Sequence, residues 1–167
     1  MPKPTKIYWD SCAWLGLLNG DQQKRRELEI VYDNAKKGLC EIWTSTLAYV
    51  ETNRRKSESG PKPLDPEIER EISALFRQQF VKPIPLDVVI AEHSRVLVRT
   101  TPDLSKFKDA IHVASAQWWN IPVLHTYDRA DLLHLTNLQC RNGMNLRICY
   151  PDETTDGPLF AQNKKVT

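Results

Sequence analysis

Residues 107–116 read FKDAIHVASA, and the fold turns on how this stretch is read. Ile111, Val113, Ala114 and Ala116 suit a packed helix. Ala110, Ser115 and Ala116 are small enough to let that helix approach a sheet closely. Asp109 stands at its start and His112 one turn later. A carboxylate on a helix about to enter a core is costly unless it meets a partner. The stretch therefore predicts a buried helix, roughly Lys106 to Trp119, with an acid aimed at something specific.

The segments around it alternate strand and helix. KIYWD (Lys6 to Asp10), Leu39 to Trp43, Val81 to Pro85, Pro122 to Thr126 and Leu146 to Tyr150 read as short buried strands. Pro83 cannot donate to a ladder, which puts the third strand at a sheet edge. Helices are expected from Ser11, taken as N-cap, to Leu18; from Gln22 to Lys37, stopped by Gly38; and from Ser45 to about Arg55. Further helices are expected from Asp65-Pro66 (an aspartate cap with proline at the first helical position) and from Asp87 to Val98, with a helical turn from Asp131 to Leu135. This alternation predicts an α/β fold, a three-layer α/β/α sandwich around a central parallel sheet of about five strands. One domain is expected over residues 1–150, followed by a polar tail over 151–167.

Composition narrows the class. With 167 residues, 41% hydrophobic and 26% charged, the chain can build a real core. A net charge of +2 excludes a strongly basic nucleic-acid coat. No apolar run reaches the roughly 20 residues of a membrane span, and MPKPTKIYWD lacks a signal-peptide core, so the expected place is cytoplasmic. Cys12, Cys40, Cys140 and Cys149 form no C-x-x-C pair and read as reduced thiols.

Chemistry in such folds collects at the carboxyl ends of the strands. Strand one ends in Asp10. Strand two leads into TSTLAYVE and Glu51. Strand four runs into HTYD and Asp128, and Asp109 opens the helix that feeds it. Four acids from four distant segments thus converge on one crevice, and the expected answer to what Asp109 faces is other carboxylates. Two like charges about 4 Å apart repel by about 4 kcal/mol at an effective dielectric near 20. Such a cluster must take up protons or hold a cation, and an all-oxygen donor set selects magnesium or manganese. A divalent ion held this way acidifies water and stabilises charge on a phosphoryl oxygen, which is what a metal-dependent nuclease needs.

These residues resemble the PIN domains, and within them the VapC-like ribonuclease toxins of toxin–antitoxin pairs. The resemblance covers roughly residues 6–150 and is carried by IYWDS, TSTLAYVE, KDAIHVASA and VLHTYDRADLL. It implies the sheet order 3-2-1-4-5 and magnesium- or manganese-dependent hydrolysis of RNA phosphodiesters, with Asp10, Glu51, Asp109 and Asp128 as the catalytic and metal-binding acids. The family's last motif admits an acid at 128 or at 131, so Asp131 is a supporting candidate. It also implies a small antitoxin protein as partner and a homodimer. Groove-forming helices in the family match Gln22–Lys37 and Glu67–Gln79, whose apolar stripes are Leu28/Val31/Ala35 and Ile68/Ile72/Leu75/Phe76. Most of these stripes are expected to cover the sheet, with a few residues, among them Trp14, Leu17 or Trp119, left partly exposed as an interaction surface.

Ser11 and Thr126 flank two of the acids and read as groups that orient carboxylates. His112 reads as a histidine bonded at the helix–sheet seam rather than a general base. Arg54, Arg55 and Lys108 flank the acids in sequence and are candidates for RNA phosphates, although charged runs are usually solvated faces. A receiver domain would need a paired acid at strand one and a lysine on the last strand, and a haloacid-dehalogenase-type phosphatase would need D-x-D-x-T where D-S-C-A-W stands. The readings kept beside the toxin are a housekeeping RNA-processing nuclease and a PIN-like binding module with a vestigial metal site.

Overall fold

The structure, a computed structural model, describes residues 2–155. Its elements in chain order are β1 (Thr5–Trp9), α1 (Ser11–Asn19), α2 (Gln22–Lys36), β2 (Cys40–Ser45), α3 (Thr46–Glu51), α4 (Pro66–Phe76) and β3 (Val81–Ile84). There follow α5 (Val88–Thr100), α6 (Phe107–Trp118), β4 (Val123–His125), β5 (Leu138–Gln139), β6 (Asn145–Cys149) and α7 (Asp152–Thr155). The sheet runs β3-β2-β1-β4-β6-β5. Every pairing is parallel except β5 against β6. The five parallel strands reproduce the expected order, with β6 as the fifth. The additional β5 has two residues, too few to show an alternating pattern.

Helices cover both faces. Ile90 and Leu97 of α5 and Ala110, Val113 and Ala114 of α6 pack with Tyr8 and Leu124 on one side. Trp14, Leu28, Val31, Ile72 and Phe76 from α1, α2 and α4 pack with Ile7, Trp9 and Ile42 on the other. The α1–α2 contact is close: a side chain at Gly16 would meet the Leu28 Cδ1 at 2.8 Å. Asp65 caps α4 with Pro66 at its first position, and Asp87 caps α5, as their residue types dictate. Gly38, at φ +78°, takes the left-handed turn after α2 that a side chain would resist. β3, with Pro83, lies at the sheet edge.

Several expectations are corrected. Asp10, not Ser11, is the N-cap of α1, because its carboxylate reaches the Ala13 N–H at 3.0 Å. α3 stops at Glu51 rather than continuing to Arg55. Residues 131–135 form turns, not helix. Trp14 and Leu17 are buried with Leu28, Val31, Ala35, Ile72 and Phe76, while Ile68 and Leu75 of the α4 stripe stay partly exposed and Trp119 is exposed, at 41%, its ring 5.5 Å from that of Trp43. The polar tail opens with the single-turn α7; from 156 onward it lies outside the described residues. No helix among the described residues is long and apolar enough to cross a membrane.

Candidate functional site

The parallel strands end together, and α6 begins beside them. α6 is so deeply packed that every residue from Ala110 to Gln117 is buried. Asp109, in its first turn, is the point at which the helix emerges. Carboxylate oxygens of Asp109, Asp128 and Asp131 all lie within 4.8 Å of one another. Asp128 follows β4, and its Oδ1 accepts the Asp131 N–H at 2.9 Å, which fixes the turn that brings both acids to Asp109. Lys106 forms an ion pair with Asp131 at the outer edge of the group.

Asp10 is tied to this group from beneath. It is 2% exposed. The Thr126 hydroxyl donates to its Oδ2 at 2.5 Å, and the same hydroxyl oxygen accepts the Asp128 N–H at 3.0 Å. Thr126 therefore bridges the acid of β1 to the acid of β4. Burial, reinforced by Asp128 and opposed by His112, Thr126 and the Ala13 N–H, pushes the Asp10 carboxyl up to about 6. Asp109 is likewise raised, first by burial and then by Asp128 and Asp131. The Cys12 thiol, at the second position of α1, is raised by burial and by the negative field of Asp10, Asp128 and Asp109, so it stays protonated and is no nucleophile.

Glu51 sits differently. Its Oε1 accepts from the His112 ring at 2.9 Å. Burial raises its carboxyl, but the His112 hydrogen bond, the charges of His112 and Lys108 and a bond from Ser11 outweigh that, and the net direction is down. The other nitrogen of His112 is 2.7 Å from the Tyr8 hydroxyl. Burial pushes the Tyr8 phenol far up, so it remains a donor. Thus Asp109 and Asp128 come together with Asp131, Asp10 joins them through Thr126, and Glu51 stands on a histidine one turn along α6 from Asp109. The two arginines are engaged elsewhere: Arg54 donates to the Gly60 carbonyl at 3.1 Å, and Arg55 pairs with Glu71 of α4. Lys108 acts on Glu51.

The donor set fits a hard divalent ion. Three carboxylates offer oxygen only. Fully ionised groups 4.8 Å apart would repel pairwise by about 3 kcal/mol at an effective dielectric near 20. Lys106 offsets part of this at Asp131. Sequence reasoning missed Tyr8 as a site residue and missed Lys106 as the partner of Asp131; Tyr8 meets His112 across 104 residues of chain, and no local pattern carries such a contact.

An α/β fold with acids gathered at the carboxyl ends of a parallel sheet is shared by several classes of domain, and the family match decides among them. The PIN-domain family model matches residues 7–135, and the chain belongs to that family of nucleases. Its fold is similar to that of VapC20 of Mycobacterium tuberculosis, a sarcin–ricin loop cleaving toxin. That match has a TM-score of 0.53 at 16% identity and covers 73% of this chain and 89% of VapC20. No curated protein sequence matches the chain at a significant level.

Proposed function

We propose that the chain is a magnesium- or manganese-dependent endoribonuclease, hydrolysing RNA phosphodiester bonds, and the toxin of a toxin–antitoxin pair. The observation that carries the proposal is the convergence of Asp109, Asp128 and Asp131 within 4.8 Å beside the buried Asp10. Asp109, Asp128 and Asp131, with Asp10, are the residues that would hold the ion, and Glu51 completes the acidic rim. When bound, such an ion acidifies water and stabilises charge developing on a phosphoryl oxygen.

The chain's own residues prepare that chemistry. Thr126 and the α1 amide fix both oxygens of Asp10, so this carboxylate is held in one orientation beneath the group. The Asp131 N–H fixes Asp128 in the same way. Lys108, beside the acids, is the basic side chain best placed for an RNA phosphate, since the guanidiniums of Arg54 and Arg55 already have partners. The toxin reading is supported by the likeness of fold to VapC20. With it go a cytoplasmic setting, a second copy of the chain and a small antitoxin that covers the mouth of the crevice or places a basic residue in it.

The test has two arms. The purified protein should cleave RNA with magnesium or manganese and stop when EDTA is added. Expression alone should slow growth, and Asp10→Asn should relieve it at matched protein level. Cleavage that survives EDTA would reject the metal, whereas equal growth with both forms would reject the toxin reading and leave a housekeeping nuclease.

A further inference from the structure

We propose that His112 and Tyr8 are positioning residues that hold Glu51 in place for phosphodiester cleavage. The inference rests on the nuclease reading above and extends it by two residues from β1 and α6. An ionised carboxylate only accepts hydrogen bonds, so the His112 nitrogen that faces Glu51, Nε2 at 2.9 Å, must carry the proton. The other ring nitrogen, Nδ1, lies 2.7 Å from the Tyr8 hydroxyl. The Tyr8 oxygen in turn accepts the Ser45 N–H at 3.1 Å. The hydrogen bonds link Ser45, Tyr8, His112 and Glu51 in one continuous chain.

Ser45 and Glu51 are the two ends of α3. Ser45 is the cap whose hydroxyl accepts the Leu47 N–H, and Glu51 is the last helical residue. Tyr8 therefore clamps this short helix at its start directly and at its finish through the imidazole. Tyr8 and His112 are buried, their rings meeting edge to face with centroids 5.7 Å apart. Neither can swing aside. Glu51, by contrast, lies at a helix end with its side chain 16% exposed and would otherwise sample several rotamers. α6 thus delivers Asp109 directly and Glu51 by way of His112, one turn apart on the same rigid element.

The test is a double-mutant cycle on the full chain, with a fluorogenic mixed-sequence RNA as substrate and saturating manganese. His112→Ala should lower kcat by roughly 10- to 100-fold, the range for a hydrogen-bond partner that orients an acid of such a site, with KM little changed. His112→Gln, whose amide can donate to Glu51, should recover much of the loss, and Tyr8→Phe should fall between. Glu51→Gln should be impaired, and adding His112→Ala to it should cost almost nothing more, because residues acting through one another are not additive. Circular dichroism establishes folding. If His112→Ala does not fold, His112→Gln and Tyr8→Phe in the Glu51→Gln background decide. Full activity in folded His112→Ala and Tyr8→Phe, or the same fold-loss with and without Glu51→Gln, would overturn the proposal and leave the nuclease reading intact. An unaltered protein that cleaves no RNA strikes the nuclease reading, and the proposal with it.

Discussion

The two sides of the crevice treat their acids in opposite ways. On the Glu51 side the chain supplies a donor, His112, and the carboxyl is lowered. On the other side Asp10 is buried, Asp109, Asp128 and Asp131 crowd together, and the Asp10 and Asp109 carboxyls are raised. The protein sets a buried imidazole on Glu51, and meets the aspartates with Lys106 at their outer edge and with hydroxyl and amide donors at Asp10. Folding alone rewards the first arrangement and penalises the second, and that penalty is what supports proposing an ion there. In the function proposed above, Glu51 is the acid the protein already holds, and the crowded aspartates are the candidate ligands.

The sharpest break in this comparison is chemical. Asp109→Asn keeps size and shape and removes a charge from the crowded side. Cleavage in manganese should drop by orders of magnitude while circular dichroism is unchanged. A cleavage rate within a few fold of the unaltered protein would show that Asp109 is only a first-turn acid complementing the helix dipole.

The next effect is on stability, and its sign is unusual for an active-site change. A raised carboxyl favours folding while it is protonated and loses that advantage as pH rises from about 4 through about 6, the value for Asp10. At pH 7 without metal, ionised Asp10 therefore costs the fold up to about 3 kcal/mol. Asp10→Asn in EDTA should melt higher than the unaltered protein at pH 7, by several degrees, and lose that lead at pH 4. Manganese should raise the melting temperature of the unaltered protein by mass action, about 2.7 kcal/mol at a hundredfold excess over Kd, and should do so far less for Asp10→Asn. Thermal melts with and without manganese read both. A lower melt for Asp10→Asn in EDTA would mean that its cap and Thr126 bonds outweigh the cost of burying its charge.

A third prediction sets Asp10 against His125, which pairs with Trp9 across β1 and β4. His125 is fully buried; the Trp9 indole donates to its Nδ1 at 3.2 Å, and its Nε2 faces the Thr154 hydroxyl at 2.7 Å. Burial, with Arg147 adding to it, lowers the imidazole from 6.5 to about 3. Below pH 6.5 the unfolded chain binds a proton that the folded chain refuses, so stability falls as pH falls. Between pH 6.5 and 5 that loss is about 1.5 kcal/mol, while Asp10 regains about 1 kcal/mol over the same range. The unaltered metal-free protein should show a nearly flat profile there, and Asp10→Asn should expose the acid lability of His125. Urea melts at the two pH values check it, and parallel profiles for the two proteins would break the assignment of opposite signs.

The sequence carried most of this plan because its signals are local. The alternation of strands and helices, the Asp65-Pro66 and Asp87 caps and the edge proline in β3 each depend on a few neighbouring residues. KDAIHVASA shows its buried face and its emerging acid within one helix. What stayed hidden depends on contacts between distant segments. That Asp10 caps α1 while also facing the crevice could not be read beside an equally good cap at Ser11, because both roles need only a short oxygen-bearing side chain. Whether Asp128 or Asp131 meets Asp109 was open in YDRAD; the turn held by the Asp131 N–H brings both. The fate of Arg55 depended on Glu71, 16 residues away, reached only once α4 is in place.

That arginine supplies the smallest expected effect. Arg55 and Glu71 form an exposed pair, with side chains 37% and 43% accessible, and such pairs contribute about 1 kcal/mol or less. Arg55→Ala should therefore leave the melting temperature within about 2 °C, a shift that salt erodes further. Its effect on cleavage separates two uses of the same guanidinium. If Glu71 holds Arg55 on α4, kcat and KM stay near those of the unaltered protein, and Lys108→Ala instead raises KM, more so at low salt where phosphate contacts count most. If RNA draws Arg55 away from Glu71, Arg55→Ala raises KM and Glu71→Ala lowers it by freeing the arginine. The second pattern would move the RNA path from the α6 side of the crevice to the 57–66 loop, while leaving the contrast between the partnered Glu51 and the crowded aspartates as it stands.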